Sequence, residues 1–188
     1  TFATRLDTLQ GMTRNYEEWC LDNLINDATY EHTFSLNDAI EFVKKKFHVL
    51  GTSPNLFNNY IWYKELLTNI PEYNDIFQTQ FFTKWHNFID YRFVNEDRDK
   101  EKNIQLSKYC FRLIELIKTE QDNKSIINCL IDIKENLNSY VNRETILSIQ
   151  EVIDLVSNEL SIDKISSMRH FNSAFGRGMS YISFVQED

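Results

Sequence analysis

The sequence predicts an all-α fold in which antiparallel helical hairpins stack into an α-solenoid-like domain with an extended C-terminal tail. The 188 residues include only four glycines and two prolines. β-Rich folds need more of these residues for their tight turns. Apolar residues recur every three or four positions along most of the chain, and the breaks between these segments are short and polar. We therefore interpret residues 1–188 as a single helical domain, or as a fragment of a larger helical scaffold.

The first two helices are predicted from their caps and their apolar spacing. Thr13 is the candidate N-cap of the first helix. Ser35 is the candidate N-cap of the second, and Asp38 follows three residues later as the acidic member of a capping box. Apolar residues then step by threes and fours as far as Leu50. Gly51 is expected to stop this helix in a left-handed conformation.

Two further helices are predicted before the middle of the chain. Ser53 is a cap and Pro54 the first helical residue of one that continues to Leu67. Pro71 opens a longer helix with an aromatic-rich stripe, which we interpret as core. The stripe consists of Tyr73, Ile76, Phe77, Phe81, Trp85, Phe88, Ile89 and Phe93.

In the second half of the chain the apolar residues are spaced more regularly, as in consecutive helices. The stretch NEDRDKEKN, about residues 95–103, contains no apolar residue and is expected to be a flexible, exposed loop. Helices are predicted after it over residues 104–119, 125–140, 143–160 and 162–175. Residues 179–188 lose the helical period and are expected to form an extended tail, either docked on the body or reaching for a partner. We expect removal of this tail to leave the body folded and to weaken partner binding.

Charge and composition indicate a soluble, intracellular protein. The net charge is −8, and the acidic excess is not offset by a concentrated basic region of the kind that binds nucleic acid. The sequence contains neither an apolar run long enough to span a bilayer nor the pattern of a signal peptide. Cys20, Cys110 and Cys129 are odd in number and widely spaced, so they predict reduced, mostly buried thiols and no disulfide framework.

The sequence carries none of the common local motifs of catalysis. The chain lacks the phosphate-binding loop, the zinc-protease helix motif, the nucleophile elbow and the acidic calcium loop. No two of the four histidines, His32, His48, His86 and His170, have the spacing of metal ligands on one helix. We therefore predict no catalytic, cofactor-binding or metal-binding residues. An enzyme whose groups converge from different helices is the remaining alternative of this class.

Four residues are candidates for contact with a protein partner. Trp62 is one, because tryptophan is enriched at the energetically dominant positions of interfaces. The others, Arg177, Tyr181 and Phe184, lie in or just before the predicted tail. Trp85 is interpreted instead as a buried anchor.

The order of the capped helices resembles the helical region of the large subunit of the THO complex. The matching segments are SLNDAIEFVKKKF, TSPNLFNNYIWYKEL, KWH, SIINCLIDIKENLNSYV and FGRGMSYISF, with Ser35, Asp38, Ala39, Pro54, Asn55, Trp85, His86, Gly176 and Arg177 at motif positions. The resemblance implies a nuclear scaffold that helps to couple transcription to mRNP assembly and mRNA export. It implies contacts with other subunits and a DEAD-box RNA helicase, and no strong nucleic-acid site in this segment.

A second resemblance leads to an alternative function. The stretch DAIEFVKKKFHVLGTSPNLFNNYIWYKEL is also similar to the first two helices of the paired amphipathic helix domains of Sin3-type corepressors. Those domains grip one amphipathic helix in a cleft between four helices. The alternative reading is therefore a peptide-binding helical module.

Overall fold

A computed structural model of the protein describes residues 15–21, 35–53, 73–158, 161–174 and 181–186. These residues are mostly helical, as predicted, and they also form one small antiparallel sheet. The elements in chain order are α1 (Tyr16–Cys20), α2 (Leu36–Val43), β1 (Phe47–Ser53), α3 (Tyr73–Lys84), a 3-10 helix (Trp85–Phe88), α4 (Lys100–Lys118), α5 (Asn123–Leu137), α6 (Arg143–Ser157), α7 (Ile162–Ser167), α8 (Arg169–Ala174) and β2 (Tyr181–Gln186). Within the described ranges, every helix is too short or too polar to cross a membrane.

The start of α2 follows the predicted capping box. The Ser35 hydroxyl accepts a hydrogen bond from the Asp38 backbone N–H at 3.1 Å. The Asp38 carboxylate in turn accepts from the Ser35 backbone N–H at 3.1 Å. Two helix-terminal donors are thereby satisfied, and the prediction for this cap is confirmed. For α1 the N-cap is Asn15, whose side chain accepts from Glu18 N at 2.9 Å, and the predicted cap Thr13 lies outside the described residues.

The prediction that α2 continues to Leu50 is wrong. The helix ends at Val43, and residues 47–53 form β1, which pairs with β2. Aromatic and β-branched residues such as Phe47 and Val49 favour a pleated, half-buried strand once a partner strand is present. Gly51 is not a helix stop: it lies in β1, where the register shifts between Val49 and Gly51. Such a bulge bends the strand locally.

The predicted tail is docked on the body through β2. Strand β2 pairs antiparallel with β1, with Phe47 opposite Gln186 and Ser53 opposite Tyr181. Ile182 and Phe184 pack against the core formed by α2, β1 and α3. Removal of residues 179–188 would uncover part of this core. We therefore expect the body to lose stability without the tail, in contrast to the expectation from the sequence.

The other edge of β1 is occupied by a side chain. Asn74, in the first turn of α3, accepts a hydrogen bond from Val49 N at 2.9 Å and donates one to Phe47 O at 3.0 Å. This amide makes the same pair of bonds that a neighbouring strand would make. It therefore satisfies backbone groups that would otherwise be unpaired at the sheet edge.

Most of the aromatic stripe predicted before residue 95 lies in the first of two apolar cores, but Ile89 is 37% exposed and Phe93 lies outside that core. The buried residues of this core are Ile40, Val49, Tyr73, Phe77 and Phe81. The long helix predicted for this region is shorter than expected, because α3 ends at Lys84 and a 3-10 helix continues to Phe88. Phe93 lies beyond both helices. The helix predicted from Pro54 to Leu67 lies outside the described residues.

Helices α4, α5 and α6 form the second core. Each is preceded by an N-cap side chain that accepts a hydrogen bond from the first helical turn: Asp99, Asp122 and Asn142. Helix α4 packs on α5, and α5 packs on α6. The shared apolar residues Leu106, Ile133 and Leu137 are buried between them. The predicted helices of this region are confirmed, with shifted ends.

The last predicted helix, residues 162–175, is divided into α7 and α8. Met168 separates them with an extended backbone, ψ 112°, and its side chain is buried. The Glu151 carboxylate of α6 accepts hydrogen bonds from Arg169 N at 3.1 Å and Phe171 N at 2.7 Å. A carboxylate at a helix start accepts hydrogen bonds from the free N–H groups there and complements the helix dipole. Glu151 therefore stabilises the start of α8.

Candidate functional site

A buried polar cluster lies between the two apolar cores, and His86 is at its centre. The His86 side chain is fully buried. Its Nε2 donates to the Glu96 carbonyl at 3.0 Å, and its Nδ1 accepts from Asn103 Nδ2 at 3.3 Å. Burial, together with the nearby positive charge of Arg98, lowers the pKa of His86 to about 4. The ring is therefore neutral at physiological pH, with both nitrogens engaged.

Arg98 joins this cluster to α4 and α5. Its guanidinium donates to Asn103 Oδ1 at 2.7 Å, to Asn136 O at 2.9 Å, to Asn136 Oδ1 at 2.8 Å and to Lys102 O at 3.1 Å. The guanidinium carbon also lies 5.2 Å from the centroid of the Tyr140 ring. One planar cation thus ties the segment before α4 to the end of α5.

The segment predicted as an exposed loop, residues 95–103, is one only in part: residues 95–99 lie outside helices and strands, and most of them are exposed. Arg98 and Asn103 are buried, and residues from Lys100 onward belong to α4. Lys84 of α3 forms an ion pair with Asp97, which fixes the segment from the other side. Because its polar groups bind one another and are shielded from water, the cluster acts as an internal brace and offers no free acid or base to a substrate.

A second polar contact anchors the chain after the 3-10 helix. The buried Asp90 carboxylate accepts from Arg92 Nη2 at 2.8 Å and from the Thr145 hydroxyl of α6 at 2.8 Å. Burial raises the pKa of Asp90, whereas the hydrogen bonds from Arg92 and Thr145 lower it. The hydrogen bonds have the larger combined effect, so the pKa lies below its ordinary value. Asp90 is therefore a charged, fully paired group that attaches this segment to α6.

Metal-binding and nucleophilic groups do not converge in the part of the chain that the structure describes. No group of three His, Cys, Asp or Glu side chains there could hold a metal ion. His170 contacts Glu144 at 2.7 Å and lies apart from the cluster of His86. Cys110 and Cys129 are free thiols, and burial raises the pKa of Cys110 to about 11. A thiol with a raised pKa is a poor nucleophile.

An apolar groove lies between the 3-10 helix and α4. We call it the α4 groove; it has a volume of about 190 Å³ and is lined by Trp85, Phe88, Ile89, Asn103, Leu106, Ser107, Cys110, Phe111 and Ile114. Trp85 forms one wall and is held by the rings of Phe81 and Phe82, whose centroids lie 5.6 and 5.7 Å away. The groove opens where the two apolar cores meet at the surface.

Apolar side chains extend the α4 groove onto the exposed face of α4. Phe111 is 60% exposed. Ile89 and Ile114 are also exposed on the groove wall. Exposed apolar side chains beside an apolar groove are a feature of surfaces that bind another protein.

The four predicted partner-binding residues are not brought together by the described structure. Trp62 and Arg177 lie outside the described residues. Tyr181 is 57% exposed on β2, and Phe184 packs into the first core, with its ring centroid 6.5 Å from that of Phe47. Partner binding by these four residues stays a prediction.

The α4 groove was missed in the sequence, although a signal for it exists. Helix α4 carries apolar residues on two faces: Leu106 and Leu113 pack on α5, whereas Phe111 and Ile114 line the α4 groove. A helix that packs on one neighbour needs one apolar stripe, so the second stripe indicates a second contact. Comparison of the chain with protein-family models, with curated proteins and with solved structures gives no match.

Proposed function

We propose that this protein is a non-enzymatic docking module that binds another protein through the α4 groove. The observation that carries the proposal is the exposed apolar surface of Phe111 and Ile114 in a groove walled by Trp85. Aromatic and aliphatic side chains in a partly formed pocket are the usual anchors of a protein interface. The polar clusters support a non-enzymatic role, because their hydrogen-bonding groups are paired with one another within the chain.

The resemblance to the THO large subunit supports a more specific form of the proposal. In that form the chain is a segment of a nuclear scaffold, its helices belong to an α-solenoid-like stack, and its partners are other subunits and a DEAD-box helicase. The support comes from the quoted motifs, including Ser35 with Asp38 and Trp85 with His86. The net charge of −8 agrees with docking to protein instead of direct binding to nucleic acid.

The peptide-binding alternative based on corepressor domains stays a prediction. It requires two helices within residues 38–66. In the structure residues 47–53 of this stretch form β1, and the residues after Ser53 lie outside the described ranges.

The test is a pull-down from nuclear extract with matched variants as bait. Phe111→Glu places a charge in the α4 groove, and Phe42→Glu places the same charge at a phenylalanine of α2 that is 84% exposed. Proteins that bind the wild type at low and moderate salt are identified by mass spectrometry. We expect the wild type and Phe42→Glu to recover THO subunits and the helicase, and Phe111→Glu to lose them.

Two outcomes would contradict the proposal at different levels. If neither the wild type nor the control variant recovers a specific partner, the docking function is wrong. If all three proteins recover the same partners, docking occurs but the α4 groove does not carry it. Circular dichroism of each bait checks that the substitution leaves the helical content unchanged.

A further inference from the structure

We infer that the outer edge of β2 pairs with β2 of a second copy of this chain, so that the sheets of two copies join into one. This surface is separate from the α4 groove, and the inference does not depend on the proposed docking function. It follows from three features of the strand: the direction of its backbone groups, the lack of charged or proline residues that would block pairing, and a hydrogen-bonding pattern that is complementary to itself.

The hydrogen bonds of Asn74 show which backbone groups of β1 point away from β2. Val49 N donates to this side chain at 2.9 Å, and Phe47 O accepts from it at 3.0 Å. The backbone direction alternates from one residue to the next along an antiparallel strand. His48, between these two residues, therefore points toward β2, where its partner in the register is Val185. Val185 in turn points toward β1.

The outer edge of β2 is formed by the residues that alternate with Val185. The register shift lies in β1, so the alternation along β2 is unbroken. The backbone N–H and C=O groups of Ile182, Phe184 and Gln186 therefore point away from β1. Of the elements that the structure describes, only β1 packs extensively on β2. The outer edge of β2 thus presents donors and acceptors to which another strand can bind.

The two edges of the sheet differ in their protection against such pairing. At the β1 edge, the Asn74 side chain bonds to the backbone, and the bulge between Val49 and Gly51 bends the strand. Proteins also block free edges with lysine, with other charged residues or with proline. The β2 sequence, YISFVQ, contains neither a charged residue nor a proline. Nothing in the sequence of β2 therefore opposes the addition of a strand.

A second copy of β2 has the hydrogen-bonding pattern that this edge requires. In an antiparallel pair, residues whose backbone groups point outward must face one another. When Phe184 faces Phe184 of the partner subunit, Ile182 faces Gln186 of the partner subunit, so all the outward groups meet. The uncharged strands do not repel each other along this joint. The two Gln186 residues lie about 14 Å apart along the strands, which exceeds the Debye length at physiological salt. The acidic residues that follow Gln186 in the sequence therefore oppose the pairing little.

The side chains fit the same register. Phe184 packs against the first core, and its ring centroid lies 6.5 Å from that of Phe47. Pairing places this ring beside Phe184 of the partner subunit, and aromatic pairs across neighbouring strands stabilise a sheet. Ser183 is exposed on the opposite face, where it faces Val185 of the partner subunit. The joint therefore extends the apolar face of the sheet and leaves the polar residue on the outer face.

Amide hydrogen exchange at several protein concentrations tests the edge residue by residue. In dilute protein we expect the Val185 amide to be protected by β1 and the amides of Ile182 and Phe184 to exchange rapidly. At high concentration we expect exchange at Ile182 and Phe184 to slow by about tenfold or more, while exchange at Val185 stays unchanged. Sedimentation of the same samples should show the mass rising from 22.5 kDa to about 45 kDa.

Two pairs of matched variants test whether β2 forms the joint. Gln186→Pro removes an outward N–H group, whereas Gln186→Ala removes the same side chain and keeps this group. Because the loss occurs in both copies, we expect Gln186→Pro to raise the dissociation constant of the dimer about tenfold, and Gln186→Ala to leave it near the wild-type value. Ser183→Lys adds a charge to β2, and Leu50→Lys adds the same charge to β1, where Leu50 is 56% exposed. We expect only Ser183→Lys to weaken the dimer. Circular dichroism checks that each variant is folded.

Several results would overturn the inference, and each identifies a different reason. A wild type that stays monomeric, with exchange independent of concentration, would mean that the edge does not bind a second copy. Protection of Phe184 in the dilute monomer would mean that another segment of the same chain covers the edge. Protection that needs a nuclear extract instead of a higher concentration would assign the edge to another protein. A dimer that Phe111→Glu abolishes, or that Gln186→Pro and Ser183→Lys leave intact, would place the joint elsewhere.

Discussion

Replacement of Arg98 by methionine tests whether the buried polar cluster holds the two cores together. The substitution removes the guanidinium and keeps an unbranched side chain of similar length. Four hydrogen bonds are lost, to Asn103, to Lys102 and, twice, to Asn136, together with the contact on the Tyr140 ring. The segment before α4 then has no charged link to the end of α5.

The expected loss of stability follows from these contacts. A hydrogen bond contributes about 1 kcal/mol net, which gives about 4 kcal/mol for four bonds. The buried charge itself opposes folding, and burial lowers the pKa of Arg98, so part of this contribution is offset. We expect the free energy of unfolding of Arg98→Met to be about 3 kcal/mol lower than that of the wild type.

The chain offers a matched control in the same helix. Arg112 of α4 is half-exposed and faces Asp132 at 3.9 Å, a contact that contributes little. Arg112→Met removes the same charged group, and we expect it to cost less than about 0.5 kcal/mol. Urea denaturation followed by circular dichroism gives both values. Equal, small losses for the two variants would refute the role given to Arg98.

Three further expectations test the pH response, the sheet edge and the tail. His86 has a folded-state pKa of about 4 against an ordinary value of 6.5, so the unfolded chain binds a proton first as pH falls, and stability is lost between pH 6.5 and 4. Over this range the free energy of unfolding of the wild type should fall by about 3 kcal/mol more than that of His86→Gln. Urea denaturation at several pH values measures both, and an equal pH dependence of the two proteins would contradict the prediction. Asn74→Ala should lower the free energy of unfolding by about 1–3 kcal/mol, because Val49 N–H loses its acceptor; an unchanged melting temperature would show that water replaces the amide. Removal of residues 181–188 should abolish the tertiary signals of the first core in NMR spectra and leave those of α5, and a spectrum with all signals in place would show that β2 is dispensable.

The sequence predicted the features that depend on neighbours along the chain. The capping box of Ser35 and Asp38 spans three residues, so its chemistry is complete within one helical turn. The start of α6 at Arg143 was likewise predicted from local apolar spacing. Strand β1 was missed because Phe47 and Val49 also fit a helical period, and the partner that decides between the two structures is far away in the chain.

The site was harder to predict, for a related reason. Arg98 lies in a stretch without apolar residues, which locally indicates an exposed loop. Its burial depends on acceptors on α5, notably Asn136, and no local pattern reveals them. The α4 groove could have been predicted from the second apolar stripe of α4, but its other wall, Trp85, is set by tertiary packing.

The pairing of β1 with β2 has a consequence for synthesis of the protein on the ribosome. The two strands are about 130 residues apart in the chain, so the contact order of the first core is high, whereas α4, α5 and α6 meet through near neighbours. The second core can therefore form while translation continues. The first must wait, with Val49 and Ile40 incompletely covered, until residues 181–186 have left the exit tunnel. During that interval the nascent chain exposes an unfinished sheet edge, and a chaperone that shields β1 would protect it from pairing with another chain.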